Sequence, residues 1–422
     1  MQLWNYNELV TYIQQGLRQY NSLTWFWKVD FAFNNASPTN VWSSLATLAG
    51  SPRLRTITDT YCYTEMETML LEPPSGGTWT GTSMFTISDL SQALQRRRDE
   101  MLQASACNQS LMTGIPIVPN TTRTYVPYTV IDIPRVRYIP VVAPPATQPP
   151  PPTTLYRDDT IALEWYEAPL YQQNPGTPST FSLSSEPPLA FDVDVPPSQP
   201  GTYEAVVLQS GTPFNPPTAT LLGVPDDYSY VAEWGALADL LGRESEATDR
   251  ERSAYAMKRY QDGLNLLRKS PWLFLGKVNG AAVSLDSLYA MDRYSPEWDS
   301  NPSGFGPVIV DGWIDFIAAP TGQSTGVTVL GNMPVPVNPT DYIQIPPGSW
   351  DTVLDLCQIR ATWKLGGAEF QAALELEKRA IEACAMENVR LRSMGSFADI
   401  LDQRGLQQDR DANRYNSANK GK

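Results

Sequence analysis

Apolar residues recur along this chain at two periods, and the change of period divides it. Leu3, Tyr6, Val10, Ile13, Leu17 and Tyr20 are spaced three or four apart, which predicts an opening helix with one apolar stripe. Residues 24–33 are aromatic with partial alternation and predict a strand. A second helix is expected from a cap at Asp59 to Leu71, stopped by Pro73 and Pro74. A third is expected from a cap at Ser88, with Ile87, Leu90, Leu94 and Met101 on its buried side. From 111 to 209 the period shortens. Runs rich in Val, Ile and Tyr at 125–139, 155–166, 190–195 and 203–208, cut by proline and glycine, predict an antiparallel sandwich or barrel. Residues 143–152, APPATQPPPP, interrupt it as an extended polyproline arm.

Helical spacing returns at 221–267. Pro225, Asp226 and Asp227 are a helix-start signal, because carboxylates in a first turn meet free amides and the positive end of the dipole. Tyr230, Trp234, Leu237 and Leu241 share one face, and Gly242 ends the helix. Thr248 with Glu251 reads as a capping box for a second helix striped by Met257, Tyr260, Leu264 and Leu267. The short connection predicts an antiparallel hairpin. Beyond it, 308–310, 313–317 and 327–330 look like strands, with Asp311-Gly312 as a turn, and they either complete the first β domain or form another. Ser349 is expected to cap a helix with Trp350, Val353, Cys357 and Ala361 inward. Gly366 and Gly367 break it before a last helix carrying Phe370, Leu374, Ile381 and Cys384 on one side.

The fold class that follows is α+β: a helical bundle assembled from both ends and the middle of the chain, with an inserted antiparallel β-sandwich or barrel-like domain. Its parts are 1–110 (helical, with a short β element), 111–220 (inserted and β-rich), 221–272 (central hairpin), 273–346 (mixed), 347–395 (a helical pair) and 396–422 (a polar tail). At 422 residues the chain is long enough for two or three cores. No run of about eighteen apolar residues occurs, and MQLWNYNELV lacks the pattern of a signal peptide. The expectation is therefore no membrane span and synthesis in a cytoplasm.

Several resemblances run through these helices. The aromatic-bearing PDD, ALADLL, and D-R-x-R-x-A-Y-x-x-x-R-Y-x-x-G of the hairpin resemble the helical hairpin of head-to-tail adaptor, or neck, and related virion proteins of tailed bacteriophages. WTGTSMF at 79–85 leading into QALQRRRDE, and LGGAEF at 365–370, are similar to further parts of that family. The resemblance covers most of the chain outside roughly 273–345. It implies a homo-oligomeric ring of about twelve copies below the portal protein, joined to tail or nozzle proteins. A central channel would pass DNA without sequence-specific binding, and the location would be the virion.

The formal charge of −14 disfavours a broad phosphate-binding face, since nucleic-acid binding needs Lys and Arg to displace counterions. An acidic channel wall, by contrast, would keep DNA from sticking. Arg96, Arg97 and Arg98 form a local basic knot with two readings: a solvated helix face paired with Asp99 and Glu100, or a contact with an acidic partner or with phosphate. The absence of histidine removes Ser-His-Asp, Cys-His and His-ligated metal chemistry. Cys62, Cys107, Cys357 and Cys384 stand apart and read as buried thiols. The Gly-rich stretch 75–82 lacks the ending of a phosphate loop, and no calcium-loop or dinucleotide fingerprint appears, so neither a cofactor nor a metal site is expected.

Carboxylates remain. Asp158, Asp159 and Glu164 beside Trp165 and Tyr166 have the residue types of a glycosidase site, but any exposed strand and loop would carry them too, and the expectation is no enzyme. A tail-side module that recognises host glycan through Trp165, Tyr166 and Tyr171 is the alternative function. Within the tail, Phe397, Ile400, Leu401 and Leu406 are apolar anchors among acids and amides. The expectation is that 397–406 docks in a groove of an adjacent subunit, while Arg410 and Arg414 make charge-assisted partner contacts.

Overall fold

The computed structural model describes residues 6–34, 42–44, 55–70, 84–141, 153–159, 174–184, 189–216, 218–243, 249–269, 273–278, 281–283, 285–286, 308–310, 316–318, 324–338 and 340–393. Helix α1 (Tyr6–Thr24) follows the opening stripe, but Tyr6 and Leu9 are exposed and its second half is buried all round, polar Gln15, Gln19, Asn21 and Ser22 included. Helix α2 (Asp59–Met69) is capped one residue earlier than expected. The Thr58 hydroxyl accepts from the Tyr61 amide, which frees the Asp59 carboxylate to accept from the Thr220 amide at 2.8 Å. Helix α3 (Ile87–Ser105) is capped at Thr86 rather than Ser88. The Thr86 hydroxyl accepts from the Asp89 amide at 3.2 Å, and the Asp89 carboxylate accepts from the Thr86 amide at 3.0 Å.

Asp226–Tyr228 is a single 3-10 turn that leads into α4 (Ser229–Gly242), and α5 (Arg250–Lys269) follows. Thr248 lies outside the described residues. The side chain that caps α5 is Asp249, whose carboxylate accepts from the Arg252 amide at 3.0 Å. Two glycines bring α4 and α5 together: a methyl added at Gly263 would lie 2.5 Å from Cγ2 of Val231, and one at Gly235 would lie 2.7 Å from the Tyr260 ring. The Ser253 hydroxyl donates to the Ala238 carbonyl. Partner numbers fall along one helix as they rise along the other, so the pair is antiparallel. Tyr230, Trp234, Leu237, Leu241, Tyr260, Leu264 and Leu267 are all buried, in a core shared with α2, α3 and the last two helices.

Those two are α6 (Trp350–Leu365) and α7 (Gly367–Ser393), separated by Gly366 at φ +67°, a left-handed conformation that glycine tolerates. The inward face of α6 differs from the expectation. Trp350 is 38% exposed, and the buried positions are Val353, Asp355, Leu356, Ile359, Arg360, Trp363 and Lys364. Ser349 makes no side-chain cap; its hydroxyl accepts from Tyr20 of α1 at 3.0 Å instead. A second core joins Leu17 and Tyr20 of α1 to Val353, Leu356, Ala380 and Cys384.

Between α3 and the hairpin lie β3 (Gln109–Pro116), β4 (Arg123–Tyr125), β5 (Val130–Pro140), β6 (Thr153–Arg157), β7 (Thr180–Leu183), β8 (Ala190–Val193) and β9 (Gly201–Gln209). They form one curled mixed sheet in the order β3-β9-β5-β6-β7-β8-β4, so the protein is α+β. The expected antiparallel pattern fails at one place: β6 and β7 pair in parallel, Tyr156 opposite Thr180. The outermost strands, β3 and β4, are consecutive in the chain and joined by residues 117–122, and this short tether draws the two edges toward each other. Ile133, Val136, Tyr138, Phe181, Phe191 and Tyr203 fill the resulting concavity.

Strands from 273–346 do not join this sheet. β1 (Lys28–Asn34), β10 (Leu273–Val278), β11 (Ala281–Val283) and β15 (Ser324–Leu330) form a four-stranded sheet in the order β1-β15-β10-β11. β2 (Trp42–Ser44), β12 (Leu285–Asp286), β13 (Val308–Val310) and β14 (Phe316–Ala318) form another, ordered β12-β13-β14-β2. Each recruits a strand from the first fifty residues. Asp311-Gly312 lies outside the described residues, although β13 and β14 do pair antiparallel.

Gly263→Ala tests the pressed hairpin. Helix propensity alone favours alanine by about 1 kcal/mol, whereas overpacking against β-branched Val231 costs about 1–3 kcal/mol. A net loss of about 1 kcal/mol is expected, read as a lower urea midpoint at unchanged slope. A gain would show that the two helices are not held in contact there.

Candidate functional site

The hairpin's first turn is the junction of the helical part. Asp226 accepts from the Thr56 amide at 2.8 Å, the Thr56 hydroxyl at 2.7 Å and the Ile57 amide at 3.0 Å. Asp227 accepts from Asn21 Nδ2 at 2.6 Å and from the Met333 amide at 3.2 Å. Asn21 also donates to the Gly331 carbonyl, and its Oδ1 accepts from the Trp27 amide at 2.7 Å. These carboxylates, read from sequence as helix-dipole partners, instead tie three distant segments. Burial pushes Asp227 up to about 7, against the pull of Asn21, the Met333 amide and Arg18.

One helix layer deeper, Arg360 stands between two carboxylates, Glu65 at 3.5 Å and Glu233 at 3.6 Å. Gln15 Nε2 donates to Glu65 at 2.6 Å and to Glu233 at 3.4 Å. All four side chains are buried. Two carboxylates share one guanidinium, so burial and then the Glu65 charge push Glu233 well above the ordinary carboxylate range. Burial likewise pushes the Cys62 thiol up. A carboxyl that keeps its proton is acid–base equipment, but Glu233 has no exposed surface for a substrate to reach, so its chemistry here is to hold α1, α2, α4 and α6 together. Sequence reasoning passed over Glu65, Glu233 and Arg360. The available signal was Glu233 itself, an acid in the otherwise apolar SYVAEWGALADLLG.

The basic knot resolves into three different environments. Arg97 is buried, paired through Nε (2.9 Å) and Nη2 with Asp239 of α4, and through Nη1 with Glu100 at 2.8 Å; its guanidinium lies 5.1 Å from the Tyr260 ring centre. Arg98 has no exposed side chain. It pairs with Asp99 at 2.7 Å, donates to the Thr212 carbonyl at 2.9 Å and lies 4.2 Å from the Phe214 ring centre. Only Arg96 faces solvent, with its side chain 73% exposed. The knot is thus a clamp from α3 onto α4 and the 212–214 segment. The expected pairs with Glu100 and Asp99 are present, but only Arg96 is solvated, and Arg97 and Arg98 are buried rather than offered to phosphate.

Among the remaining candidates, Asp158 and Asp159 are exposed after β6. Glu164, Trp165, Tyr166 and Tyr171 lie outside the described residues, as do Phe397, Ile400, Leu401, Leu406, Arg410 and Arg414. Exposed aromatics do stand on the seven-stranded sheet and its turns: Tyr125, Tyr128 at 87% and Tyr156. Among the described residues no group of three or more acids or cysteines is placed to hold a metal, and no helix is long and apolar enough to cross a membrane. The helical part has one further feature, a cleft of about 410 Å³ between α1, α4, α5 and α7, lined by Gln19, Leu23, Tyr230, Leu266, Lys269 and Ile381 among others.

The raised Asp227 makes a pH prediction. Between about pH 4 and pH 7 the folded protein holds a proton that the unfolded chain has released. Asp227 therefore lowers stability progressively as pH rises through that window, and adds no slope above it. Asp227→Asn removes this dependence, so the variant should gain on the parent protein by up to about 1.4 kcal/mol per pH unit. Urea unfolding of both proteins at several pH values from 4.5 to 7.5 checks the difference; parallel profiles would refute the assignment. Comparison of this chain with protein-family models and with curated proteins finds no match, so its functional reading rests on its own residues.

Proposed function

We propose that the chain is a structural virion protein of a tailed bacteriophage, a head-to-tail adaptor. It would form a ring of about twelve copies below the portal protein, receive the tail or nozzle proteins, and leave a channel for DNA. The observation that carries this reading is the convergence of the resembling stretches. Arg97 of QALQRRRDE, the hairpin residues Trp234, Asp239, Tyr255 and Tyr260, and Phe370 of LGGAEF come from three separate stretches of the sequence. Yet Trp234 stacks edge-on with Tyr255 (5.6 Å) and Trp363 (5.1 Å), Tyr255 with Phe370 (5.1 Å), and Arg97 grips Asp239 beneath Tyr260. Scattered motifs that meet in one packed centre behave as the signature of a shared fold, whereas chance matches would be strewn over it.

On this reading the helices from both ends and the middle form a bundle that supplies ring contacts. The curled sheet, read as a sandwich or barrel-like domain, presents an outward or tailward surface, and the chain beyond 395 meets the portal or the adjacent copy. The charge of −14 suits a wall past which DNA slides without adhering. Mixed with the portal protein encoded in the same genome, the purified protein is expected to form rings visible by negative stain. Light scattering that finds a strict monomer, together with no binding to portal complexes, would overturn the proposal. A second reading, a tail-side module for host glycan, is favoured by the exposed Tyr125, Tyr128 and Tyr156, since aromatic faces stack on sugars. Glycan-array binding that Tyr128→Ala abolishes, in a protein that forms no ring, would favour it over the adaptor.

A further inference from the structure

The cleft between α1, α4, α5 and α7 is lined by apolar and by charged side chains. Leu23, Leu266 and Ile381 give it an apolar lining, while Lys269 and Arg259 bring positive charge and Asp262 a single negative one two turns before Lys269. Arg259 is committed to Glu377, Nη1 to Oε1 at 2.8 Å, so Lys269, a lining residue that is exposed, is the cation offered to an arriving group. A ligand suited to this cleft carries apolar side chains spaced by carboxylates.

Residues 397–406 have that composition, and the described helix that leads toward them borders the cleft. Helix α7 contributes Ile381 to the lining, and Asn388 Nδ2 donates to the carbonyl of Leu23, another lining residue, at 3.2 Å. From Asn388 to the helix end at Ser393 is about 8 Å at 1.5 Å per residue. Phe397 follows four residues later, within about 14 Å of extended chain. The sequence there is FADILDQRGL, with Phe397, Ile400, Leu401 and Leu406 apolar and Asp399 and Asp402 acidic. We propose that residues 397–406 fold back into the cleft of their own chain, apolar anchors against Leu23, Leu266 and Ile381 and an aspartate against Lys269. Tethering through a few residues gives a millimolar-range effective concentration, which favours the chain's own tail over that of an adjacent copy until assembly supplies a competitor. The inference rests on the cleft and not on the adaptor reading.

Full-length protein with Ile381→Cys and Leu401→Cys tests it, with each single replacement as background for the native cysteines. Mild oxidation is expected to link the two positions within one chain, shown by a linked peptide in a species of monomer mobility. A link found only in a dimer would assign the cleft to a neighbour's tail and overturn the proposal, and so would the absence of any link. Charge supplies an independent arm that does not disturb the core. Lys269→Glu should slow linking at least fivefold in low salt, and Asp402→Lys or Asp399→Lys added to it should restore the rate. Linking indifferent to these reversals would remove the carboxylate recognition on which the choice of segment depends.

Discussion

Everything in the helical part depends on two adjacent carboxylates that have been taken out of water. Asp226 and Asp227 are both buried, and a buried carboxylate is tolerated only where donors surround it. Their donors come from 56–57, Asn21 and Met333, segments that no local pattern would bring together. Asn21 is itself spent completely, its amide donating to Asp227 and Gly331 while its oxygen receives Trp27. Breaking one member strands the others, which is why such networks specify an arrangement more sharply than apolar packing does. The hairpin therefore enters the core at a fixed place, with α1 on one side and the end of β15 on the other.

A second constraint follows from the first. With α1 buried all round in its second half, its polar residues need partners inside, and the Gln15, Glu65, Glu233 and Arg360 group provides them. Taking Arg360 and Glu65 out of water as one ion pair, beside a Glu233 that keeps its proton, is expensive, and a hydrophobic replacement of equal shape can be the more stable. What the group supplies is direction: four helices each contribute one member, and no other register satisfies them. The apolar contribution lies beside it, where Trp234 meets Trp363 and Tyr255 edge to face.

Legibility in the sequence followed the range of the interaction. The hairpin stripe through Tyr230, Trp234, Leu237 and Leu241 could be read because large apolar residues recur at helical spacing, although α4 is buried on nearly every side and not along that stripe alone. Caps were read one or two residues away from their true places, because Thr58, Thr86 and Asp249 compete with equally suitable neighbours and only geometry chooses between them. Trp350 was assigned inward and is partly exposed, since the inward face of α6 is centred on Arg360 and Trp363, and a buried arginine carries no apolar signal. Arg97 and Arg98 looked like surface charge for the same reason: their partners Asp239 and Thr212 lie more than a hundred residues away. Nor could alternation show that β1 and β2 leave the first fifty residues to pair with β15 and β14, or that β6 and β7 run parallel, because a strand's pattern records which faces it buries and not which neighbour it has.

What the core consumes is unavailable to partners, and this limits how the protein can associate. Arg97, Arg98, Arg259 and Arg360 are all paired with carboxylates, so their burial leaves the acidic balance of the composition in place. Copies of such a chain repel one another at long range, and the repulsion fades beyond a Debye length of about 8 Å at physiological salt. Contacts within a ring would therefore draw on exposed apolar side chains such as Trp350, Leu354, Met386 and Val389, and on the tyrosines of the curled sheet, rather than on complementary charge. If the proposed ring and the proposed docking both hold, they would respond to salt in opposite directions: added salt would screen the repulsion between acidic copies and weaken the hold of Lys269 on an aspartate. Ionic strength would in this way shift the tail out of its cleft under the same conditions that let copies approach.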